Sequence, residues 1–348
     1  MRKITTRMGD GFSVELNEKN LIQDIEDGTL DAADRGKIPP LSDDEQKHLF
    51  EICKSACKIS GVEKGCEVIM SYDGGTNKVG RLGINTGRLQ VLQLYERCFG
   101  ADTTELSDLD YSFKQVKHII RENVPLMEQA QLLMVAPVFY GAMPNLGLYT
   151  QPDGPVPNPA ELLPQGKIKE AREAYDEAIE HAVRDMVYVA ASQCEAGADG
   201  INFDTVGASG DPDLKATLLA VETLKKQYPD ICVEVGMAGE FVLGMHGEMT
   251  HNGVRLAGLY PHKQVKIAQD AGVDIFGPAI NTVSTKSIPW TVARAITFTK
   301  ACVEAAEIPV HANMGMGVGG LPLCTTPPID AVSLASKAIV EITRLDGL

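Results

Sequence analysis

Asn202, Asp204, Glu234, His311 and Asn313 are polar residues set inside otherwise apolar runs. In GINFDTVG (200–207), ICVEVG (231–236) and IPVHANMG (308–315) they take every second place between Ile201, Phe203, Val233, Val235, Val310 and Ala312. Glu240 follows the second run, and Met237 continues it. A buried carboxylate is costly unless paired, so the structural explanation for each is an ion pair with Lys or Arg. Few basic residues occupy these runs, which favours a functional reading. Carboxylates so placed could hold an alkylammonium ion and accept its proton. Glu234, Asp204 and Glu240 are therefore the candidate catalytic residues, and Asn202, His311, Asn313 and Met237 the candidate substrate contacts.

Three other patterns invite chemistry and carry less of it. GMGVGG (315–320) contains GxGxxG after an apolar run, but Pro322, Pro327 and Pro328 stop a helix from opening directly behind it. A dinucleotide site needs that helix N-terminus for the pyrophosphate, so the segment reads as a glycine loop instead. His246 and His251 lie in HGEMTH, which is not the HExxH of a zinc site, so no metal is expected. The long, proline-rich stretch 141–166 reads equally as a lid, a partner-docking surface or an ordered wall.

The elements that must position these residues repeat along the chain. From about residue 130, apolar runs alternate with helical patterns: 131–141, 200–207, 231–239, 273–281 and 308–315 as strands, with 167–197 and 211–228 among the helices. A further strand candidate is 66–74. Gly197 and Gly272 stand where a left-handed residue would close a helix before the next strand. Strands and helices alternating at this pace make parallel βαβ units. Strands buried on both faces of an open sheet should be apolar throughout, whereas these alternate. That favours a (β/α)8 barrel of the TIM type, with the polar set lining its interior near the strand ends. Residues 1–65 read as an N-terminal helical extension, with Ser42 and Glu45 as a capping box, and 66–348 as the barrel.

Composition excludes some partners. The net charge of −15 argues against nucleic acid and anionic membrane, which demand a basic face. The longest apolar run, Leu132 to Tyr140, is far short of the ~20 residues of a membrane span. Eight cysteines without CxxC pairing, behind a start with no signal peptide, read as reduced thiols in a cytoplasmic protein.

Several longer segments are similar to one family. GDGFSVEL, CFGADTTELSDLDYSF (98–113), FYGAMPNLGLYTQPDGP (139–155), GADGINFDTVGASGD (197–211), GMAGEFVLGMHG (236–247), NTVSTK (281–286), HANMGMGVGG (311–320) and TPPIDAV (326–332) resemble, in order, the dimethylamine:corrinoid methyltransferases. The resemblance implies methyl transfer from dimethylamine to the Co(I) of a cognate corrinoid protein, in methanogenesis from methylamines. It implies no cofactor bound directly, since the corrinoid rides on its own protein; read from the residues, Gly315 and Gly317 of the glycine loop at the barrel mouth are the candidate contacts for its approach. A homo-oligomer is expected. The family carries pyrrolysine at an amber codon, a residue this sequence lacks. Leu345-Asp346-Gly347-Leu348 repeats Ala198-Asp199-Gly200-Ile201 at a strand start, so the barrel is expected to be incomplete here, lacking its last strands, with the amber codon just after Leu348. The alternative is a truncated, non-catalytic remnant that binds the corrinoid protein or itself. A barrel aldolase would want a Schiff-base lysine at a strand end, and none of the assigned strands has one.

Overall fold

Ile4 and Thr6 are buried between exposed Lys3 and Thr5, the two-residue period of a half-covered strand. In the computed structural model, which describes residues 3–55, 139–142, 146–244, 247–324 and 327–348, this segment pairs in antiparallel register with Ser13–Asn17. The hairpin departs from the helix expected for this region. Its signal is the alternation itself, together with Gly11, whose φ of 94° suits the turn. The elements in chain order are β1 (Lys3–Arg7), β2 (Ser13–Asn17), α1 (Glu18–Gly36), α2 (Asp43–Lys54), β3 (Phe139–Ala142), α3 (Ile168–Glu195), β4 (Gly200–Val206), α4 (Asp211–Gln227), β5 (Cys232–Met237), α5 (Pro261–Ala271), β6 (Ile275–Gly277), α6 (Ile288–Ala305) and α7 (Ile329–Thr343). The strand expected at 66–74 lies outside the described residues.

The chain divides into two units. Described residues of the first are 3–55, 280–303 and 312–348. Asn17 caps α1 by accepting the Asn20 N–H at 2.9 Å, and Ser42 with Glu45 forms the expected capping box of α2. Leu21 and Ile25 of α1, Leu49 and Ile52 of α2, Val292 and Ile296 of α6, and Ala335, Ala338 and Ile339 of α7 share one apolar core. Helices α1 and α6 approach closely at Gly28, where a Cβ would lie 2.2 Å from the Trp290 carbonyl oxygen. Nearby, the Thr29 and Thr297 hydroxyls bond at 2.8 Å, and buried Arg294 donates to Asp31 at 2.7 Å. Burial would raise the Asp31 carboxyl, but Arg294 and Arg35 together hold it below the usual range. Leu345 and Leu348 are buried in the same core, and Gly347 O accepts the Ala312 N–H at 3.1 Å.

Described residues of the second unit are 139–142, 146–244, 247–279 and 304–311. Its four-stranded sheet is parallel, in the order β3-β4-β5-β6, and a separate antiparallel pair joins Thr250–His251 to Val254–Arg255. Val310 bridges in parallel to Phe276, and the His311 N–H donates to Phe276 O at 2.9 Å, so the ladder continues past β6. Helices α3, α4 and α5 lie between successive strands in the chain, as the alternation predicted. Gly197 and Gly272 close α3 and α5 with φ of 94° and 100°. This is a mixed α/β fold with a parallel sheet; a closed eight-stranded barrel is not described among these residues. The described part of the 141–166 loop is anchored at a few points. Tyr149 stacks on His181 and donates its hydroxyl to Asp185 at 2.8 Å, and Val156 is fully buried.

Candidate active site

Register decides which side chains share a face. Ile201 pairs with Val233 and Phe203 with Val235, and all four are fully buried. The alternate face carries the row Gly141, Asn202, Glu234 and Ile275, each in register with the next. Towards the C-terminal ends of the strands, the next register pair on that face is Gly236 with Gly277. A Cβ at Gly277 would lie 3.2 Å from both Gly236 Cα and His311 O, so glycine is required by the close approach of three backbones. Beyond Glu234 this face is therefore bare backbone on two adjacent strands.

His311 closes the row. It follows Val310 and so lies level with Gly277, and its Nδ1 is 2.9 Å from Glu234 Oε1. The Glu234 side chain is only 14% exposed. The ion-pair alternative to a functional role named Lys or Arg as partner; here the partner is the imidazole of His311. Asn202, in register with Glu234 on β4, has its Oδ1 buried with no hydrogen-bond partner among the described residues. Sequence parity put Glu234, His311 and Asn202 in one inward-facing set, and the sheet carries these three on one face.

The other candidates are placed differently. Asp204, half-buried, stands two residues beyond Asn202, and its Oδ1 accepts the Thr205 N–H at 2.7 Å. Thr205 has φ of 54°, a strained conformation for a β-branched residue, at a register shift between Phe203 and Val206. Met237 is buried and, by alternation, on the side of Val233 and Val235. Glu240 is buried in the loop after β5, where Gln264 Nε2 donates to its backbone carbonyl at 3.4 Å. Asn313, Gly315 and Gly317 belong to the first unit.

The glycine loop has a packing explanation. The N–H groups of Gly315, Gly317, Val318 and Gly319 donate to the carbonyls of Val318, Pro322, Gly315 and Ile280. Those four donors are bonded to backbone carbonyls of the protein. His251 Nε2 lies 2.9 Å from Glu222 Oε1, and His246 lies outside the described residues. Among the described residues, no group of three or more His, Cys, Asp or Glu side chains could hold a metal ion, and no helix is long and apolar enough to cross a membrane.

Two features near the site carried no signal that the sequence reading used. One is the strain at Thr205. The other is Asp213, fully buried in the first turn of α4, which accepts the Ser209 N–H at 3.2 Å and so ties down the loop leaving β4. GASGDPD does mark a helix start, with acidic residues in its first turn, and that could have singled Asp213 out.

No solved structure matches the chain. A family model described as dimethylamine methyltransferase matches residues 2–348, nearly every residue including those of the Asn202, Glu234 and His311 face. The chain belongs to the dimethylamine methyltransferase family.

Proposed function

We propose that the face of Asn202, Glu234 and His311 receives dimethylammonium, and that Glu234 accepts its proton in preparation for methyl transfer. Dimethylammonium is a cation at neutral pH and its nitrogen lone pair is occupied by the proton. A positioned base must remove that proton before the nitrogen can add to an electrophile. The observation that carries this reading is the 2.9 Å bond between Glu234 and His311 beside a strand face without side chains. With Glu234 ionised, the His311 Nδ1–H donates to it, and that bond orients the carboxylate. The low exposure of Glu234 strengthens its attraction for a cation relative to a carboxylate in water.

The same donor set suits a neighbouring group that reacts with a free amine, because Glu234 can take the proton such a reaction releases. Pyrrolysine, which the resemblance implies, supplies an electrophilic imine when present. The methyl acceptor is then the Co(I) corrinoid of a separate protein, in methane formation from methylamines, with the enzyme cytoplasmic and homo-oligomeric. The test is Glu234→Gln in the full-length protein assayed with dimethylamine and the corrinoid protein. Methyl transfer should fall by about 10²–10⁴-fold, the ordinary worth of general acid–base catalysis. Near-normal turnover removes Glu234 from the mechanism.

A further inference from the structure

We propose that Asn202 and Glu234 read the number of N–H groups on the ammonium ion, so that this face selects a secondary amine over a tertiary one. The inference rests on Glu234 as the cation's anchor and adds a second residue with a separate role. Its basis is an oxygen: Asn202 Oδ1 is buried, lies on the same face as Glu234 in adjacent-strand register, and has no hydrogen-bond partner among the described residues. Buried polar atoms in folded proteins are nearly always hydrogen-bonded, and an exception at a site marks a group reserved for a ligand or water.

The spacing suits one nitrogen between two acceptors. Side chains in register on neighbouring strands stand roughly 5 Å apart, the inter-strand distance. A charge-assisted N–H···O bond spans about 2.8 Å, so an ammonium nitrogen between the two side chains reaches both. Dimethylammonium has two N–H groups, one for the Glu234 carboxylate and one for Asn202 Oδ1. Its two methyl groups can turn towards Gly236 and Gly277, which carry no side chains of their own. Trimethylammonium has a single N–H. Bound to Glu234, it sets a methyl group against Asn202 Oδ1 and leaves that oxygen desolvated without a bond. A site built to hydrogen-bond its ligand discriminates strongly against an analogue lacking the donor, because its own buried group is left unsatisfied.

The experiment is titration calorimetry of the full-length protein with dimethylammonium chloride and trimethylammonium chloride. Wild type should bind the dimethyl salt at least about tenfold more tightly, the cost of one unsatisfied buried acceptor. In Asn202→Val the preference should fall by about tenfold, through weaker dimethylammonium binding and unchanged or tighter trimethylammonium binding. Valine suits a strand; should it fail to fold, Asn202→Ala removes the same oxygen and is read in the same way. Asn202→Asp keeps an acceptor in place and should keep the preference. An unchanged preference in Asn202→Val, with both salts weakened by Glu234→Gln, overturns the role of Asn202 and leaves the anchor standing. Unaltered binding of both salts in Glu234→Gln overturns the anchor itself, and the inference with it.

Discussion

Asp213→Asn should make the protein more stable relative to wild type as the pH rises. Asp213 is fully buried, which raises its carboxyl, while the N–H groups of Ser209, Gly207 and Ala208 pull it back down. Burial wins: the Ser209 bond is long at 3.2 Å, Oδ1 has no hydrogen-bond partner among the described residues, and the carboxyl is pushed up from 3.8 to about 6. A group that binds its proton more tightly in the folded state stabilises that state at low pH. Its contribution is complete below the unfolded value near 4 and is lost as the pH climbs through about 6. Two pKa units correspond to about 3 kcal/mol, of which about 2 kcal/mol develops between pH 7.5 and 4.5. Asparagine has the same size, keeps an acceptor for Ser209 and does not titrate. Urea unfolding of both proteins across this range gives the difference, in which carboxylates common to both cancel. A difference independent of pH would refute the reasoning. A variant that loses ground as the pH rises would show that the backbone donors outweigh burial.

Two further substitutions test the first unit. Gly28→Ala would ordinarily strengthen a helix interior by about 1 kcal/mol, but the Trp290 carbonyl 2.2 Å from the new Cβ should reverse the sign. A lower urea midpoint is expected, and a higher one would show that α1 and α6 can part without cost. Ser42→Ala removes the Oγ that accepts the Glu45 N–H, leaving the Ser42 backbone N–H to Glu45 half of the capping box, and should cost about 1 kcal/mol in the same measurement. An unchanged midpoint would mean that water replaces the cap.

The capping box of α2, the glycine stops of α3 and α5, and the alternation in β4 and β5 were all legible beforehand. Each depends on residues within a few positions of one another, so local rules suffice. The β1–β2 hairpin was equally local and was overlooked, because one polar-apolar alternation over five residues is a weak signal beside the long helical pattern that follows it. A closed barrel was inferred from strand repetition and parity. The described residues carry a parallel sheet with its strands in chain order, and a strained bulge at Thr205 that no propensity rule anticipates.

Alternation alone determined that Asn202, Glu234 and His311 oppose the apolar faces of their strands, since side chains in a strand point to opposite sides in turn. Which of them meet was decided by the register between strands, a relation among segments far apart in the chain. That register sets Asn202 beside Glu234 and Gly236 beside Gly277, and brings His311 Nδ1 to 2.9 Å from a carboxylate 77 positions earlier. It also decided that the polar partner of Glu234 is an imidazole instead of Lys or Arg. Sequence spacing holds no information on this, because inter-strand register follows from how buried faces and backbone ladders fit together across the sheet.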